Sequence, residues 1–315
     1  MNITDVGHLT DDASDGEDKM IVAMKREGKT AYEIAEFYTD AFMKDVKCLN
    51  IKPAEVYPRA TEHIQEQIDM VKQLEENGFA YTTSDGVYFD TSKLESYGRL
   101  SKQSADEKKA GARIEMGEKK NLTDFALWKF SPKDSNREME WDSPWGKGFP
   151  GWHIECSAMS VKYLDAPFDI HTGGIDHVPV HHENEIAQTQ GAINKLQANV
   201  WMHGEFLTID NGKMSKSLGN LYAIQDLVDK GYDPLVYRYY VLGAHYRTKL
   251  NFTFEALDAA QNALQKLQSK VRDWDKSKGN CGEFDQRFED AINDDLNTPQ
   301  ALAVMWEMVD SDKPS

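Results

Sequence analysis

A run of five residues combines two positive charges with two hydroxyl groups. The run is Lys213-Met214-Ser215-Lys216-Ser217, and it is flanked by Asn-Gly at 211–212 and Gly-Asn at 219–220. Glycine gives the flanking backbone the freedom that a moving loop needs. Mobile lysines could follow a polyphosphate and stabilise the charge that builds on a departing pyrophosphate. The alternative is an ordinary solvated basic turn, which these residues alone leave open.

A second group of residues offers ligands for a metal ion. Pro179 suits the entry of a helix, so that His181 and Glu185 fall at positions i and i + 4 on one helix face. Cys156 could arrive from a neighbouring strand end as a thiolate. Cysteine, histidine and glutamate together suit Zn²⁺. By spacing alone, a buried cysteine and a histidine-rich helix start are more often structural, so both interpretations remain open.

Alternating helices and strands must position these groups. Thr30 can cap a predicted helix that runs to about Val46. A second helix is predicted from Thr61 to Asn77, with Gly78 as a stop signal and an apolar face formed by Ile64, Ile68, Val71 and Leu74. Residues 79–81 and 87–89 flank Ser-Asp-Gly and predict a hairpin. Apolar runs and glycine-rich turns between about 151 and 207 are typical of further strands. Residues 92–150 are polar and then rich in Trp, Pro and Gly, which indicates an insertion within one domain.

The sequence after the lysine-containing loop favours helices. Apolar residues between 254 and 274 recur at intervals of three and four, which predicts a helix-packing seam. Thr298-Pro299 predicts the start of another helix, with threonine as the cap and proline in the first turn. At the other end of the chain, residues 2–5 predict the end of a strand.

Composition limits the classes of protein to consider. The chain has 315 residues, of which 40% are hydrophobic, enough for cores in about two or three domains. No apolar run approaches the length of a bilayer span, and the start lacks a signal-peptide pattern, so we expect a cytoplasmic protein without membrane contact. Three cysteines without paired spacing argue against a disulfide framework. The net charge of −17 argues against a broadly basic nucleic-acid surface but allows a local basic stripe.

Several motifs, taken together, resemble the cysteinyl-tRNA synthetases, a family of class I aminoacyl-tRNA synthetases. The lysine-containing pentapeptide matches the signature of the class. The other motifs are Asn-Ile-Thr-Asp at 2–5, Pro-Arg-Ala-Thr at 58–61, Ser-Pro-Trp-Gly at 143–146, Gly-Trp-His-Ile-Glu-Cys-Ser-Ala-Met at 151–159, His-His-Glu-Asn-Glu-Ile-Ala-Gln at 181–188 and Leu-Asn-Thr-Pro at 296–299. The similarity extends from Asn2 to about Pro299.

The resemblance implies an α/β fold, with a Rossmann-like parallel sheet split by an insertion and followed by a mostly helical C-terminal region. The expected divisions follow the chain in order. They are a first part of the catalytic domain at 1–78, a connective-peptide-type insertion at 79–150, a second catalytic part at 151–207, a connecting region with the lysine-containing loop at 208–253, and the start of a helical tRNA-binding domain at 254–315.

The resemblance also implies the reaction and its participants. We expect an ATP-dependent ligase that activates L-cysteine to cysteinyl-adenylate and transfers it to tRNA(Cys), working as a monomer. ATP would be a substrate, accompanied by Mg²⁺, and each chain would hold one Zn²⁺. The matching zinc ligands are Cys156, His181 and Glu185. A metal prefers sulfur and lowers the pKa of a thiol, so it can reject serine without an editing site.

Further site residues carry over from the resemblance. Trp152 matches an aromatic wall that shields the cysteine pocket, and Thr4 and Asp176 match positions that hold the substrate ammonium group. Either of the latter two could instead belong to a plain turn or cap. Lys213 and Lys216 match the catalytic clamp on ATP, with Lys216 the stronger candidate. The remaining loop residues that match the ATP-binding signature are Met214, Ser215 and Ser217.

The sequence departs from the family pattern in places. The family has a fourth zinc ligand, a cysteine, and a His-x-Gly-His segment, both of which should precede Asn2, and Phe149 stands where the family usually has arginine. The helical region also ends early. These departures predict a chain that lacks an opening strand–helix unit and aminoacylates poorly. Two alternatives remain: a ligase that joins cysteine to an amino sugar, and an inactive remnant that binds zinc, tRNA or a partner.

Overall fold

A computed structural model describes residues 1–7, 19–102, 117–132, 137–215, 218–272, 274 and 282–311. Lys216 and Ser217 of the predicted ATP clamp lie outside these described residues. The chain divides into two units, one of residues 1–42 with 54–202 and one of residues 43–53 with 203–315.

The first unit begins with helices whose starts depend on local caps. Helix α1 spans Lys19–Glu27 and α2 spans Ala31–Cys48, of which residues up to 42 belong to this unit. Oγ1 of Thr30 accepts a hydrogen bond from the backbone N–H of Glu33 at 3.1 Å, and Oε2 of Glu33 accepts one from the N–H of Thr30 at 2.9 Å. This reciprocal pair is a capping box, and it confirms Thr30 as the predicted cap of α2.

Helix α3 spans Ile64–Glu76 and begins later than predicted. A 3₁₀ turn at Ala60–Glu62 precedes it, so Thr61 lies in that turn and not in the helix. The predicted apolar face is confirmed, because Ile68, Val71 and Leu74 are buried. Gly78 follows the helix with a φ of +80°, a conformation that glycine adopts without the strain a Cβ would add.

The segment predicted to be an insertion forms an antiparallel sheet. Its strands are β1 (Ala80–Thr82), β2 (Gly86–Phe89), β3 (Phe125–Phe130) and β4 (Gly148–Pro150), paired in that order. The pairing of β1 with β2 confirms the predicted hairpin. Phe89 and Trp128 from this sheet pack into one core with Leu74 of α3 and with Ile154 from the next helix. The sheet therefore supports the helices that carry the candidate site.

Two helices and two strands complete the first unit. Helix α4 spans Trp152–Leu164 and α5 spans His181–Ile193, while β5 (Phe168–Gly174) pairs with β6 (Ala198–Gly204), of which residues up to 202 belong to this unit. Ile3 forms an isolated parallel bridge with Arg59, where the sequence predicts the end of a strand. Gly151 precedes α4 and lies against the backbone of Ala126 in β3, where a Cβ would have no space. Only glycine permits this close approach of the helix start to the strand.

The second unit pairs a short parallel ladder with helices. Strands β7 (Leu207–Ile209) and β8 (Leu250–Phe252) are parallel. The helices are α6 (Ile224–Asp229), α7 (Pro234–Leu242), α8 (Phe254–Arg272), α9 (Gly282–Asn293) and α10 (Thr298–Asp310). Together they confirm the predicted helical character of this region. None of the helices in the described ranges has the length and apolar character required to cross a bilayer.

Two details of the helical region differ from the predictions. The seam of α8 is buried only in its first half, since Leu257 is buried while Val271 is exposed. The cap of α10 is Asn297 and not Thr298, because Oδ1 of Asn297 accepts the N–H of Gln300 at 3.2 Å. Either side chain could cap a helix, and Pro299 lies in the first turn as predicted.

Candidate functional site

The three predicted metal ligands lie together in the first unit. One ligand atom each from Cys156, His181 and Glu185 fall within 4.8 Å of one another, and Nε2 of His181 is 3.4 Å from Oε1 of Glu185. The expectation that Cys156 comes from a strand end is wrong, because it lies inside α4, which begins at Trp152. His181 and Glu185 occupy the first turns of α5 at the predicted i and i + 4 positions. The role of the three side chains as metal ligands stays a prediction.

The electrostatics of the cluster depend on burial and on neighbouring histidines. Glu185 is only 1% exposed. Its burial opposes the charged form, but a hydrogen bond from His171 and the charges of His171, His181 and His182 outweigh it, so the pKa of Glu185 lies below its ordinary value. For Cys156, burial and then the negative charges of Glu185 and Glu155 raise the pKa of the thiol well above its ordinary value. A bound cation would reverse this local field and favour the thiolate.

The orientation of His181 follows from its contact with α4. Nδ1 of His181 lies 3.0 Å from Nδ1 of His153. When Nδ1 of His181 carries the ring proton, it donates to His153, and the lone pair of Nε2 points to the side of Glu185, as a metal ligand requires. The ring of Trp152 meets that of His181 edge to face at 5.1 Å. The residue predicted to wall the pocket therefore packs against a predicted ligand.

Buried polar contacts fix the helix that carries the cluster. Oγ of Ser157 and the side-chain amide of Gln188 lie 2.6 Å apart between α4 and α5, and both residues are fully buried. Glu183 of α5 accepts hydrogen bonds from the backbone N–H groups of Gly98 at 3.0 Å and Ser101 at 2.9 Å. These bonds to a charged group are among the stronger ones in proteins and tie the loop at 98–101 to the start of α5.

Sequence reasoning missed three residues around the carboxylate of Glu185. Nε2 of His171 and Nε2 of His182 lie 3.2 Å and 3.9 Å from its Oε1, and the amide of Gln197 donates to its Oε2 at 2.8 Å. The glycine pair at 173–174, shortly after His171, could have indicated that a bulky side chain packs there. A Cβ at Gly173 would lie 2.5 Å from Cε1 of His182, so this glycine makes room for the imidazole.

The two residues predicted to bind the substrate amine are both exposed. Thr4 lines a surface depression of about 370 Å³ together with Asn2 and Tyr38. The side chain of Asn2 also lies near the thiol of Cys156, so the depression adjoins the cluster. Asp176 lies in the 3₁₀ turn Ile175–His177 directly after β5. Their part in substrate binding stays a prediction.

The lysine-containing loop belongs to the second unit. Lys213 is exposed, while Met214 packs against the core that includes Ile209 and Leu227 and lines a cavity of about 160 Å³. The side chain of Asn220 bridges the loop, because its Oδ1 accepts the N–H of Ser215 at 2.8 Å and its amide donates to the carbonyl of Lys213 at 3.1 Å. The contact of the loop with ATP stays a prediction.

Family comparisons place most of the chain in two known sequence families. Residues 4–262 match the family described as tRNA synthetases class I (C) catalytic domain. Residues 287–311 match the DALR domain. The first match includes every predicted site residue, and the second falls in α9 and α10 of the helical region.

Individual relatives of the chain are also aminoacyl-tRNA synthetases. The chain is 54% identical to cysteine–tRNA ligase 1 of Burkholderia lata over 315 residues, which is 100% of this chain and 67% of that protein. It is 45% identical to cysteine–tRNA ligase of Treponema denticola over 339 aligned positions, covering 98% of this chain and 68% of the relative. A solved structure of Mycobacterium tuberculosis methionyl-tRNA synthetase bound by methionyl-adenylate aligns with a TM-score of 0.64 at 15% identity, covering 92% of this chain and 72% of the other. That likeness shows the Rossmann-like fold of class I synthetases.

Proposed function

The chain belongs to the tRNA synthetases class I (C) family, and we propose that it activates L-cysteine with ATP and transfers the cysteinyl group to tRNA(Cys). The single observation that carries this proposal is the convergence of Cys156, His181 and Glu185 within 4.8 Å. A metal ion held by a sulfur, a nitrogen and an oxygen ligand would distinguish a thiol substrate from its hydroxyl analogue. Discrimination of this kind is what an enzyme needs if it must accept cysteine and reject serine.

Zn²⁺ is the cation that the donor set fits, and Cys156, His181 and Glu185 would hold it. Thiolate, imidazole and carboxylate are the usual ligands of zinc in proteins, and a mixed set of this kind suits a borderline-soft ion. When bound, zinc supplies a Lewis acid that favours a substrate thiolate over a hydroxyl. His153 holds the ring of His181 so that Nε2 is directed to the cluster, since the two Nδ1 atoms are 3.0 Å apart.

The remaining groups of the first unit would position the amino acid. Trp152 covers one side of His181 and would exclude water from the thiol. Asp176 and Thr4 would hold the substrate ammonium group, the first by charge and the second by its hydroxyl. Both are exposed and therefore accessible to a ligand entering from solvent. This arrangement would orient the carboxylate of cysteine for attack on the α-phosphorus of ATP.

The second unit would supply the nucleotide contacts. Lys213 and Lys216 would stabilise the pyrophosphate as it leaves, with Met214, Ser215 and Ser217 completing the loop and Mg²⁺ accompanying ATP. The helical region from 254 onwards would dock tRNA, and the match of residues 287–311 to the DALR domain supports tRNA over an amino sugar as the acceptor. We further propose that the domain divisions fall after residues 78, 150, 207 and 253. We also propose that the protein is a monomer and that it works in the cytoplasm.

Exchange of labelled pyrophosphate into ATP tests the proposal directly. We expect exchange that depends on cysteine and exceeds that with serine by about 10,000-fold, because a site built around a thiol contact rejects the analogue that cannot make it. Removal of zinc with a chelator should abolish the preference, and added zinc should restore it. Equal exchange with serine, or cysteine-dependent exchange without transfer to tRNA(Cys), would contradict the proposal.

A further inference from the structure

A second set of possible metal ligands shares Glu185 with the first. Ligand atoms of His171, His182 and Glu185 also lie within 4.8 Å of one another. One oxygen, Oε1 of Glu185, faces the Nε2 atoms of three imidazoles, at 3.2 Å from His171, 3.4 Å from His181 and 3.9 Å from His182. The carboxylate therefore stands between two ligand sets, one that contains sulfur and one that does not.

The surroundings of the second set are built around its imidazoles. The ring of Trp201 lies 4.7 Å from that of His171 and 4.8 Å from that of His182, so it forms an aromatic wall against both. Gly173 provides the space into which His182 extends, as its Cβ would overlap the imidazole. His182 is 1% exposed, and the side chain of His171 is only 14% exposed. The set is thus enclosed and held by packing from β5, β6 and α5.

The spacing within the set suits a shared cation better than hydrogen bonds alone. The separation of 3.9 Å between His182 and Oε1 is too long for a hydrogen bond. Ligands that bind one ion at about 2.0–2.2 Å lie roughly 3–4 Å from each other. Two imidazoles and one carboxylate are a recurrent set for borderline divalent transition metals, which do not require sulfur.

We propose that His171, His182 and Glu185 form a second, sulfur-free metal site, which takes a borderline divalent cation such as Co²⁺ or Ni²⁺ and competes with the Cys156 set for Glu185. Competition follows from the carboxylate itself. Its Oε2 accepts the amide of Gln197 at 2.8 Å, which leaves Oε1 as the oxygen that both sets approach. A cation held by the second set therefore withdraws Glu185 from Cys156 and His181.

Cobalt titration of the full chain tests the proposal, with bound Co²⁺ measured by equilibrium dialysis and the thiolate-to-cobalt charge-transfer band measured by absorption. Cys156→Ser should lose the band and still bind Co²⁺. In that background His181→Asn should change the dissociation constant by less than threefold, whereas His182→Asn should raise it at least tenfold. With Cys156 present, we expect the opposite dependence for the charge-transfer band. His181→Asn should weaken the band, and His182→Asn should leave it unchanged.

Three controls keep the result interpretable. Cys156→Ala replaces the serine variant if that variant does not fold by circular dichroism. His63→Asn changes another buried histidine, one that contacts the hydroxyl of Tyr163 at 2.9 Å, and should leave both readouts unchanged. Glu185→Gln should abolish binding at both sets. The proposal is overturned if neither Cys156 variant binds Co²⁺, or if cobalt bound without Cys156 depends on His181 and not on His182. The second result would mean that His171 and His182 only orient the carboxylate.

Discussion

The candidate metal-ligand cluster and the lysine-containing loop hold their side chains in opposite ways. Glu185 is buried on a helix, and its carboxylate contacts His171 and Gln197. Lys213 is exposed on a loop that Asn220 bridges and Met214 anchors to the core. Groups that choose between sulfur and oxygen gain from a fixed position before the substrate arrives. A cation that follows a departing phosphate needs freedom of movement, which an exposed side chain on a loop can retain.

The same difference decides how strongly each region acts on charge. A carboxylate in a buried site interacts in a low effective dielectric, where an opposite charge has a large effect. An exposed lysine acts through water and is screened by salt over about 10 Å. We therefore expect substitutions in the cluster to have larger effects than substitutions in the loop, and we expect only the loop to respond strongly to ionic strength.

Glu185→Gln should have the largest effect, because it removes the negative charge of a proposed ligand and disturbs the hydrogen bond with His171. We expect the dissociation constant for Zn²⁺ to rise at least about 100-fold, which is about 2.7 kcal/mol. Competition with a chromogenic chelator measures this value, and elemental analysis after dialysis measures retained zinc. Retention of one zinc per chain at parental affinity would show that Glu185 is not a ligand.

Glu183→Gln provides the matched comparison two residues away on the same helix. Glu183 is equally buried, but its oxygens accept backbone N–H groups at Gly98 and Ser101 and it is not in either ligand set. The amide cannot accept all of these bonds, so the free energy of unfolding should fall by about 2 kcal/mol while zinc affinity stays within about threefold. Urea denaturation and chelator competition separate the two effects. A large loss of zinc with unchanged stability would reverse the assignment of these two glutamates.

Local features of the fold were predictable from the sequence. The capping box at Thr30, the apolar face of α3 and the hairpin of β1 and β2 all depend on residues that are close in the chain. The i and i + 4 positions of His181 and Glu185 followed from Pro179 in the same way. Periodicity and turn chemistry carry this information because they act over one or two turns of backbone.

The convergence of the site depends on packing that no local pattern contains. Spacing alone did not decide whether these residues bind a metal ion, and it was the family resemblance that indicated Cys156 as a ligand. Even then the cysteine was expected at a strand end, since the sequence around it gives no strong helical period, whereas Gly151 starts α4 against β3. His171 and His182 were missed because their proximity to Glu185 arises from the side-chain contact of His171 on β5 with Glu185 on α5 and from the space above Gly173.

Lys213→Ala tests how much the exposed lysine of the loop contributes to the reaction. Loss of one exposed charge should lower the cysteine-dependent pyrophosphate exchange rate about tenfold, or about 1.4 kcal/mol, at low salt. The ratio of parental to variant rates should shrink as the salt concentration rises from about 0.05 M to about 0.5 M, because screening already removes much of the lysine's contribution. Zinc affinity should stay unchanged at both salt concentrations. A ratio independent of salt would show that Lys213 acts through packing or a specific hydrogen bond.

Asn220→Ala should have the smallest effect, because it removes two hydrogen bonds, one part-buried and one exposed, and no charge. Its side chain joins the carbonyl of Lys213 to the N–H of Ser215, so the loop should open more often without it. We expect cleavage by trypsin after Lys213 to accelerate about threefold, since proteolysis follows the population of the open loop. Asn220→Asp keeps an oxygen that can accept the N–H of Ser215 but loses the donor to the carbonyl of Lys213. Its cleavage rate should therefore lie between those of the parent chain and Asn220→Ala. Equal cleavage rates in all three proteins would mean that Met214, held against the core near Ile209, fixes the loop without help from Asn220.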